Sequence, residues 1–455
     1  MPLHWLATQL WRYRGTVLLL TFGITLLLIL LGTNSLQHSS RYVWYKGWSE
    51  TTGGERKEQH DHAKERRNNS SSQGQGGRRE NQPFRATAEN DSKGSYTAQG
   101  RGISTPPVVF LKTHKTGSST VQNLLFRMGE RETATFAFPR QAYQFSYPDK
   151  FRAEFVDDLP PGSSQFDILC SHMRLDLGEL RKVMPPNTIY ITILREPLRT
   201  FESIFSYYTS SVPAFTFAKK ASEATEAGER KSALSLFLES PESFWDPKEP
   251  GDGLGKNPLS FDLGLNSQQW NASWPADLSL LEETFQLIMI AEHFDESLVL
   301  LGALLKLEPE ELAYVRLNVR AAQDVTPLDD VAKARMRAWN SLDVLLYDFF
   351  LQLFWEKAEQ YGLERLNVEV ALLRASTERI RQRCVARAGV PPGDLEDLLR
   401  PWQSDTVSIL GYQVRGNLTQ HEQGFCVRMM LPEPQYHAHL YFLQYGQDVR
   451  AMPAN

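Results

Sequence analysis

The chain has 455 residues, of which 41% are hydrophobic, 11% aromatic and 23% charged, enough for a sizeable core and so no disulfide-stapled miniprotein. The 49 Lys and Arg against 54 Asp and Glu leave a net charge of −5, which argues against a general nucleic-acid binder. Three Cys exclude a disulfide framework and a Cys-built zinc site.

Thr16 to Gly32 reads TVLLLTFGITLLLILLG, and no Asp, Glu, Lys or Arg lies between Arg14 and Arg41. At about 1.5 Å of rise per residue, some 20 such residues cross a hydrocarbon core of about 30 Å. The run is longer than a signal-peptide core, and its exit, Gly32-Thr33-Asn34-Ser35, is a poor cleavage site. Residues 16–33 are therefore predicted to be an uncleaved anchor. Arg12 and Arg14 precede it, so residues 1–15 form a cytosolic tail and the rest lies lumenal or outside, in single-pass type II topology. Residues 34–105 are polar, charged and Gly/Ser-rich, which predicts a disordered stem holding a domain at 106–445 away from the bilayer. The basic residues of this stem read as solvation rather than as a nucleic-acid contact. The sequons at Asn68, Asn69, Asn90, Asn271 and Asn417 become candidate glycan sites under that topology.

Four apolar runs follow: Val108–Leu111, Phe166–Cys170, Thr188–Leu194 and Leu287–Ala291. Helical patterns separate them. This alternation predicts an α/β fold, a P-loop-like parallel sheet flanked by helices, with ligand chemistry at the strands' carboxyl ends. After Ala291 the pattern turns mostly helical. Leu342, Leu345, Leu346, Phe349, Phe350 and Leu353 form an apolar stripe at helical spacing and are read as core. Cys384 and Cys426 are candidates to pair in an oxidising lumen, with Cys170 a small buried apolar residue, but spacing leaves the connectivity open.

The first apolar run leads into Lys112-Thr-His-Lys-Thr-Gly-Ser-Ser-Thr120, and then Val121, Leu124, Leu125 and Met128 mark a helix. Strand, hydroxyl-rich turn and helix N-terminus together favour an anion, because free N–H groups and the helix dipole point at it. An ordinary capped turn would also use hydroxyl residues. The turn is not a Walker A loop: Lys115 precedes Gly117 by two residues, and no candidate set of Mg²⁺ ligands is evident. A second signal is Ile191-Thr-Ile-Leu-Arg195-Glu-Pro-Leu-Arg-Thr-Phe-Glu-Ser203. Arg195 leaves a strand, Pro197 opens a helix, and Ser203 lies two turns along it. A guanidinium and a hydroxyl can hold a second phosphate there.

Lys-[Ser/Thr]-Gly-[Ser/Thr]-[Ser/Thr] at the first turn, and Arg with Pro two and Ser eight residues on, resemble the two phosphate motifs of sulfotransferases. Phe110-Leu-Lys-Thr-His-Lys-Thr-Gly-Ser-Ser119, His172-Met-Arg174, Ala291-Glu-His-Phe-Asp-Glu-Ser-Leu298, Ile409-Leu-Gly-Tyr412 and Pro432-Glu-Pro-Gln-Tyr436 together are similar to the galactose 3-O-sulfotransferase family over residues 106–445. Family members often read Lys-Thr-Ala-Ser-Ser, Asn-His and Arg-Asp-Pro or Arg-Asn-Pro where this chain has Gly117, Ser171 and Glu196. These are mild changes.

The resemblance implies a sulfotransferase fold in the Golgi membrane. It also implies transfer of sulfate from 3′-phosphoadenosine 5′-phosphosulfate (PAPS) to the 3-hydroxyl of a terminal β-galactose. Met430–Gly446 is more similar to glycoprotein-directed members, while Ser211-Val-Pro-Ala-Phe215 is similar to the glycolipid member, so galactosylceramide is the alternative acceptor. By resemblance, Lys115 stabilises the leaving oxygen and Thr116, Gly117, Ser118, Ser119 and Thr120 bind the 5′-phosphate. Lys112 and His114 flank it near the sulfuryl oxygens, and Arg195 and Ser203 bind the 3′-phosphate. His172 is the expected general base, with an ordinary pKa of about 6.5, and His114 is its rival. Glu292 is read as structural, and no metal is expected. Phe136, Phe138, Tyr207 and Tyr208 are read as core before sugar-stacking. Two other classes compete. A metal-dependent glycosyltransferase would show Asp-x-Asp, which this chain lacks. A non-catalytic galactoside-binding protein would not need Lys115, His172, Arg195 and Ser203.

Overall fold

The computed structural model describes residues 105–225 and 231–450. The chain divides into two units, Met1–Ser95 and Tyr96–Asn455, and the described residues belong to the second. The expected tail, anchor at 16–33 and nearly all of the stem lie outside the described residues, as do Asn68, Asn69 and Asn90. Among the described residues no helix is long and apolar enough to cross a membrane.

The four apolar runs become one parallel sheet. They supply β1 (Val108–Leu111), β2 (Ile168–Leu169), β3 (Ile189–Leu194) and β4 (Phe285–Ile290), in the order β2-β1-β3-β4. The second strand is shorter than expected, and the fourth begins two residues earlier. All of β1 and nearly all of β3 are buried, which is why both read as unbroken apolar runs rather than as alternation. Val109 pairs with Leu169 on one side and Tyr190 on the other, so β1 is interior and its carboxyl end sits at the middle of the sheet's edge.

Helix α1 (Ser118–Glu132) follows β1 and buries the expected Val121, Leu124, Leu125 and Met128. Its N-cap is Gly117 at φ 84, a left-handed conformation that a residue without Cβ adopts at no steric cost. Helix α2 (Pro197–Tyr208) follows β3; Pro197 occupies its first turn, and the Glu196 carboxylate accepts the Arg199 N–H at 2.9 Å. A short helix, α3 (Pro258–Asp262), precedes β4, and α4 (Phe294–Leu305) follows it.

The remainder is mostly helical, as expected, and adds a small sheet that the sequence did not announce. Strands β5 (Val319–Arg320), β6 (Val385–Val390) and β7 (Ile409–Val414) form an antiparallel sheet of order β5-β7-β6. The first of these has two residues, and the second exposes its four central ones, so neither carries a periodic apolar signal. The same part contains α5 (Ser341–Tyr361), α6 (Leu363–Cys384), α7 (Gln420–Met430) and α8 (Glu433–Tyr445); α6 packs on β6 and α7 on β7, whereas α5 packs on β4 and α8 on α1. The buried stripe of α5 also departs from expectation. Leu342, Leu346 and Phe350 are buried, but Leu345 is exposed, and Asp343 and Tyr347 face inward. The reason for Asp343 is specific: its carboxylate accepts Leu259 N–H at 2.9 Å, Ser260 N–H at 2.8 Å and the Ser260 hydroxyl at 2.6 Å, satisfying the open N-terminus of α3. Cys384 and Cys426 form a disulfide between α6 and α7, and Cys170 is free and buried, which resolves the pairing.

Candidate active site

The chain must reverse direction between the end of β1 and the start of α1. It does so with two left-handed residues, Lys115 at φ 59 and Gly117 at φ 84. A lysine held there stores about 1 kcal/mol or more of backbone strain. Hydroxyls brace the turn. The Thr113 hydroxyl donates to Ile193 O at 2.5 Å, Ser118 Oγ to Thr113 O at 2.7 Å, and Thr116 Oγ1 to Thr113 O at 3.3 Å. The Thr116 and Ser118 hydroxyls therefore hold the loop, which narrows the expectation that they would donate outward. Ser119 and Thr120 differ: their oxygens accept, from Asn318 Nδ2 at 2.8 Å and from the Leu317 N–H at 3.1 Å. Their protons remain available to a ligand. So do the N–H groups of Ser118 and Ser119 at the start of α1, whereas the Thr120 N–H donates to Gly117 O at 3.1 Å.

Lys115 extends over the Tyr207 ring, 3.8 Å from its centroid. Burial, then the cations Arg320, Arg195 and Lys112, push its pKa down to about 7. Arg195 leaves the end of β3, and its Nη1 donates to Lys115 O at 2.9 Å. Ser203 is buried on α2. The turn and Arg195 are thus one connected cationic surface across two adjacent strand ends.

Beside it lie two imidazoles, His114 and His172, stacked with centroids 4.1 Å apart and planes 13° apart. Their protons are set by different partners. His172 Nδ1 lies 2.8 Å from Lys112 O. A carbonyl can only accept, so Nδ1 carries the proton and Nε2 is bare. Nε2 then accepts from Lys112 Nζ at 2.8 Å, and the same ammonium donates to Glu433 Oε2 at 2.5 Å. Burial, then the Lys112 charge, hold His172 well below the usual histidine range, so it is neutral and its lone pair is covered. His114 has its Nδ1 3.0 Å from each oxygen of the fully buried Asp262, whose Oδ2 also accepts the His114 backbone N–H at 2.8 Å. The Tyr147 hydroxyl donates to Asp262 Oδ1 at 2.8 Å. A carboxylate on Nδ1 fixes the tautomer and orients Nε2, which no described residue occupies.

The structure thus brings Lys112, His114, Lys115, the turn residues, His172 and Arg195 to one sheet edge, with Ser203 buried on α2, the helix that Arg195 leads into. Tyr207 and Tyr208 join them, Tyr208 edge-on to His114 at 5.8 Å, whereas Phe136 and Phe138 are core. Glu292, read as structural, accepts from Glu196 N–H at 3.2 Å and from the Tyr347 hydroxyl at 3.0 Å, and its charge also bears on Arg195. Asn417 is exposed, while Asn271 Oδ1 accepts the Ser273 N–H at 3.0 Å. Sequence reasoning missed Asp262, which lies 148 residues from His114 and carries no local signal. It also missed a role for Glu433, although Pro432-Glu-Pro-Gln-Tyr436 was already legible as a motif. Among the described residues no group of three or more His, Cys, Asp or Glu is arranged to hold a metal.

Comparison with known proteins places these features. The family model described as galactose-3-O-sulfotransferase matches residues 71–444. The chain is 40% identical over 334 residues to the Bos taurus protein named galactosylceramide sulfotransferase, covering 72% of this chain and 76% of that one. It is 40% identical over 344 residues to Bos taurus galactose-3-O-sulfotransferase 3, covering 73% and 77%. It is 38% identical over 359 residues to Sus scrofa galactose-3-O-sulfotransferase 2, covering 77% and 87%. With a family model spanning most of its length and relatives at this identity, the chain belongs to the galactose-3-O-sulfotransferase family.

Proposed function

We propose that the chain transfers the sulfuryl group of PAPS to the 3-hydroxyl of a terminal β-galactose on glycoprotein glycans, as a type II enzyme of the Golgi membrane. The residues present fit that donor. The first turn of α1 with Lys115 suits one phosphate, and Arg195 with Ser203 suits another, on neighbouring strand ends joined by the Arg195–Lys115 hydrogen bond. PAPS supplies an activated sulfuryl group on a phosphate leaving group. The disulfide supports a lumenal setting, because such bonds form in oxidising compartments.

The observation that carries the mechanism is the histidine pair. Sulfuryl transfer needs in-line placement, stabilisation of charge on the leaving oxygen, and removal of the acceptor's proton. Lys115 is the cation at the leaving side. His114, with Asp262 behind it and Nε2 open, takes the acceptor hydroxyl's proton as the new oxygen–sulfur bond forms. His172, whose lone pair is covered by Lys112, packs against His114 and positions it. This reverses the order expected for the two histidines from sequence.

The test uses the full chain with PAPS and a panel of Galβ1-4GlcNAc, Galβ1-3GalNAc and galactosylceramide. His114→Ala is expected to lower kcat by about 100-fold or more, the usual worth of a general base. Near-normal turnover of His114→Ala overturns the assignment. Preference for galactosylceramide over both disaccharides overturns the glycoprotein acceptor.

A further inference from the structure

Four cationic side chains converge on the turn after β1: Lys112, Lys115, Arg195 and Arg320. Three come from the parallel sheet's edge, and Arg320 comes from β5 of the second sheet. Arg320 lies near enough to bear on both Lys115 and Arg195. The chain leading into it is fastened onto the phosphate turn. The Leu317 N–H donates to Thr120 Oγ1, and Asn318, itself left-handed at φ 56, donates to Ser119 Oγ.

The guanidinium of Arg320 is half used. Its Nη2 donates to Glu202 Oε2 at 2.6 Å, in a pair whose side chains are 11% and 7% exposed. Its Nη1 is buried and has no hydrogen-bond partner. Glu202 is otherwise engaged, since Oε1 accepts the Thr326 N–H at 2.9 Å and the Ser206 hydroxyl at 3.1 Å. It also directly precedes Ser203 on α2. A purely structural ion pair would satisfy the whole fork, because a charged donor left unpaired in the interior is costly. An arginine with one side on a carboxylate and the other unpaired, within electrostatic reach of Lys115 and Arg195, is suited to a phosphate oxyanion.

We propose that Arg320 is the third phosphate-binding cation of the donor site, with Nη1 taking the 3′-phosphate of PAPS alongside Arg195 and Ser203 while Glu202 holds the other half of the fork. The second sheet then has a function: it carries a nucleotide ligand across to the parallel sheet. This assignment rests on reading the turn as the PAPS site and goes beyond it, since neither phosphate motif contains Arg320.

Calorimetry on the full chain tests it with two probes, adenosine 3′,5′-bisphosphate and adenosine 5′-phosphate. Wild-type protein is expected to prefer the bisphosphate. Arg320→Ala should weaken the bisphosphate by about 30-fold or more, as expected for loss of one side of a buried charge pair. Its affinity for the 5′-phosphate should stay within about twofold, because that contact is a separate site. Equal loss of both probes, or no loss of either, overturns the proposal. Should Arg320→Ala fail to fold, Arg320→Lys carries the test, because it keeps the charge and removes the planar fork. Its bisphosphate preference should drop by about tenfold, and an unchanged preference overturns the proposal. Wild-type protein that binds neither nucleotide overturns the donor reading itself, an outcome distinct from a failure of Arg320 alone.

Discussion

At the residue scale, the protonation of Lys115 responds to what binds beside it. Burial and three neighbouring cations hold it at about 7, so near neutrality a substantial fraction of the ligand-free protein carries it uncharged. A phosphate dianion delivered to the turn favours the charged form and raises that pKa. Binding therefore takes up a proton at pH values between the free and bound pKa. The affinity for adenosine 3′,5′-bisphosphate should accordingly fall as pH rises above 7, by up to about tenfold per pH unit. The phosphates are already ionised in that range and do not mask the slope. Calorimetry in buffers of different ionisation heat should show net proton uptake. Lys115→Arg, which stays charged throughout, should bind with a flat profile. A flat wild-type profile would show that Lys115 is already charged without ligand. This residue and Arg195 were legible in the sequence because each lies in a contiguous strand–turn–helix segment, where spacing alone sets position. Asp262 was not. It reaches His114 only through the tertiary placement of α3, and an isolated Asp at a helix end looks like any other.

At the element scale, α3 is five residues long and too short to be stable by propensity. What holds it is Asp343, on α5, accepting three donors from Leu259 and Ser260. Burial raises the Asp343 carboxyl to about 7, so the comparison belongs at about pH 8, where the side chain is an acceptor-only carboxylate. There, Asp343→Asn sets an amide donor against one of the N–H donors. It should lower the unfolding free energy in urea by about 1–3 kcal/mol, the cost of an unsatisfied buried group. Because α3 ends at Asp262, which orients His114, kcat should fall in the same variant while bisphosphate affinity is retained. Full activity would mean that α3 is held by its apolar contacts alone. The parallel strands were easy to read because both faces are buried. The antiparallel sheet was not, because β5 is minimal and β6 is mostly solvent-facing. Leu345 was misassigned for a related reason: periodicity finds a stripe but not its phase when a polar residue such as Asp343 belongs to the inner face.

At the scale of the whole molecule, the C-terminal arm is tied back to the helix before β6. Cys384 closes α6, Cys426 lies in α7, and α8 follows at once, with Glu433 in its first turn reaching Lys112 at the sheet's edge. The crosslink spans 42 residues. In the chain-entropy picture, closing a loop of that size disfavours the unfolded state by about 4 kcal/mol. Cys384→Ala with Cys426→Ala should therefore lower stability by a figure of that order, read as a lower denaturation midpoint in urea. The active site should feel the change through Glu433, because a looser arm no longer holds Lys112 against His172. Turnover should drop in the double variant before global unfolding begins, and Cys170→Ala, at a buried thiol outside the crosslink, should not reproduce that effect. Thiol titration of the unfolded, unreduced protein should find one reactive group of the three cysteines, and all three after reduction. Three reactive thiols without reductant would remove both the crosslink and its support for an oxidising compartment. Wild-type turnover in the double variant at temperatures well below its midpoint would instead show that α8 docks against the sheet edge without help from the disulfide.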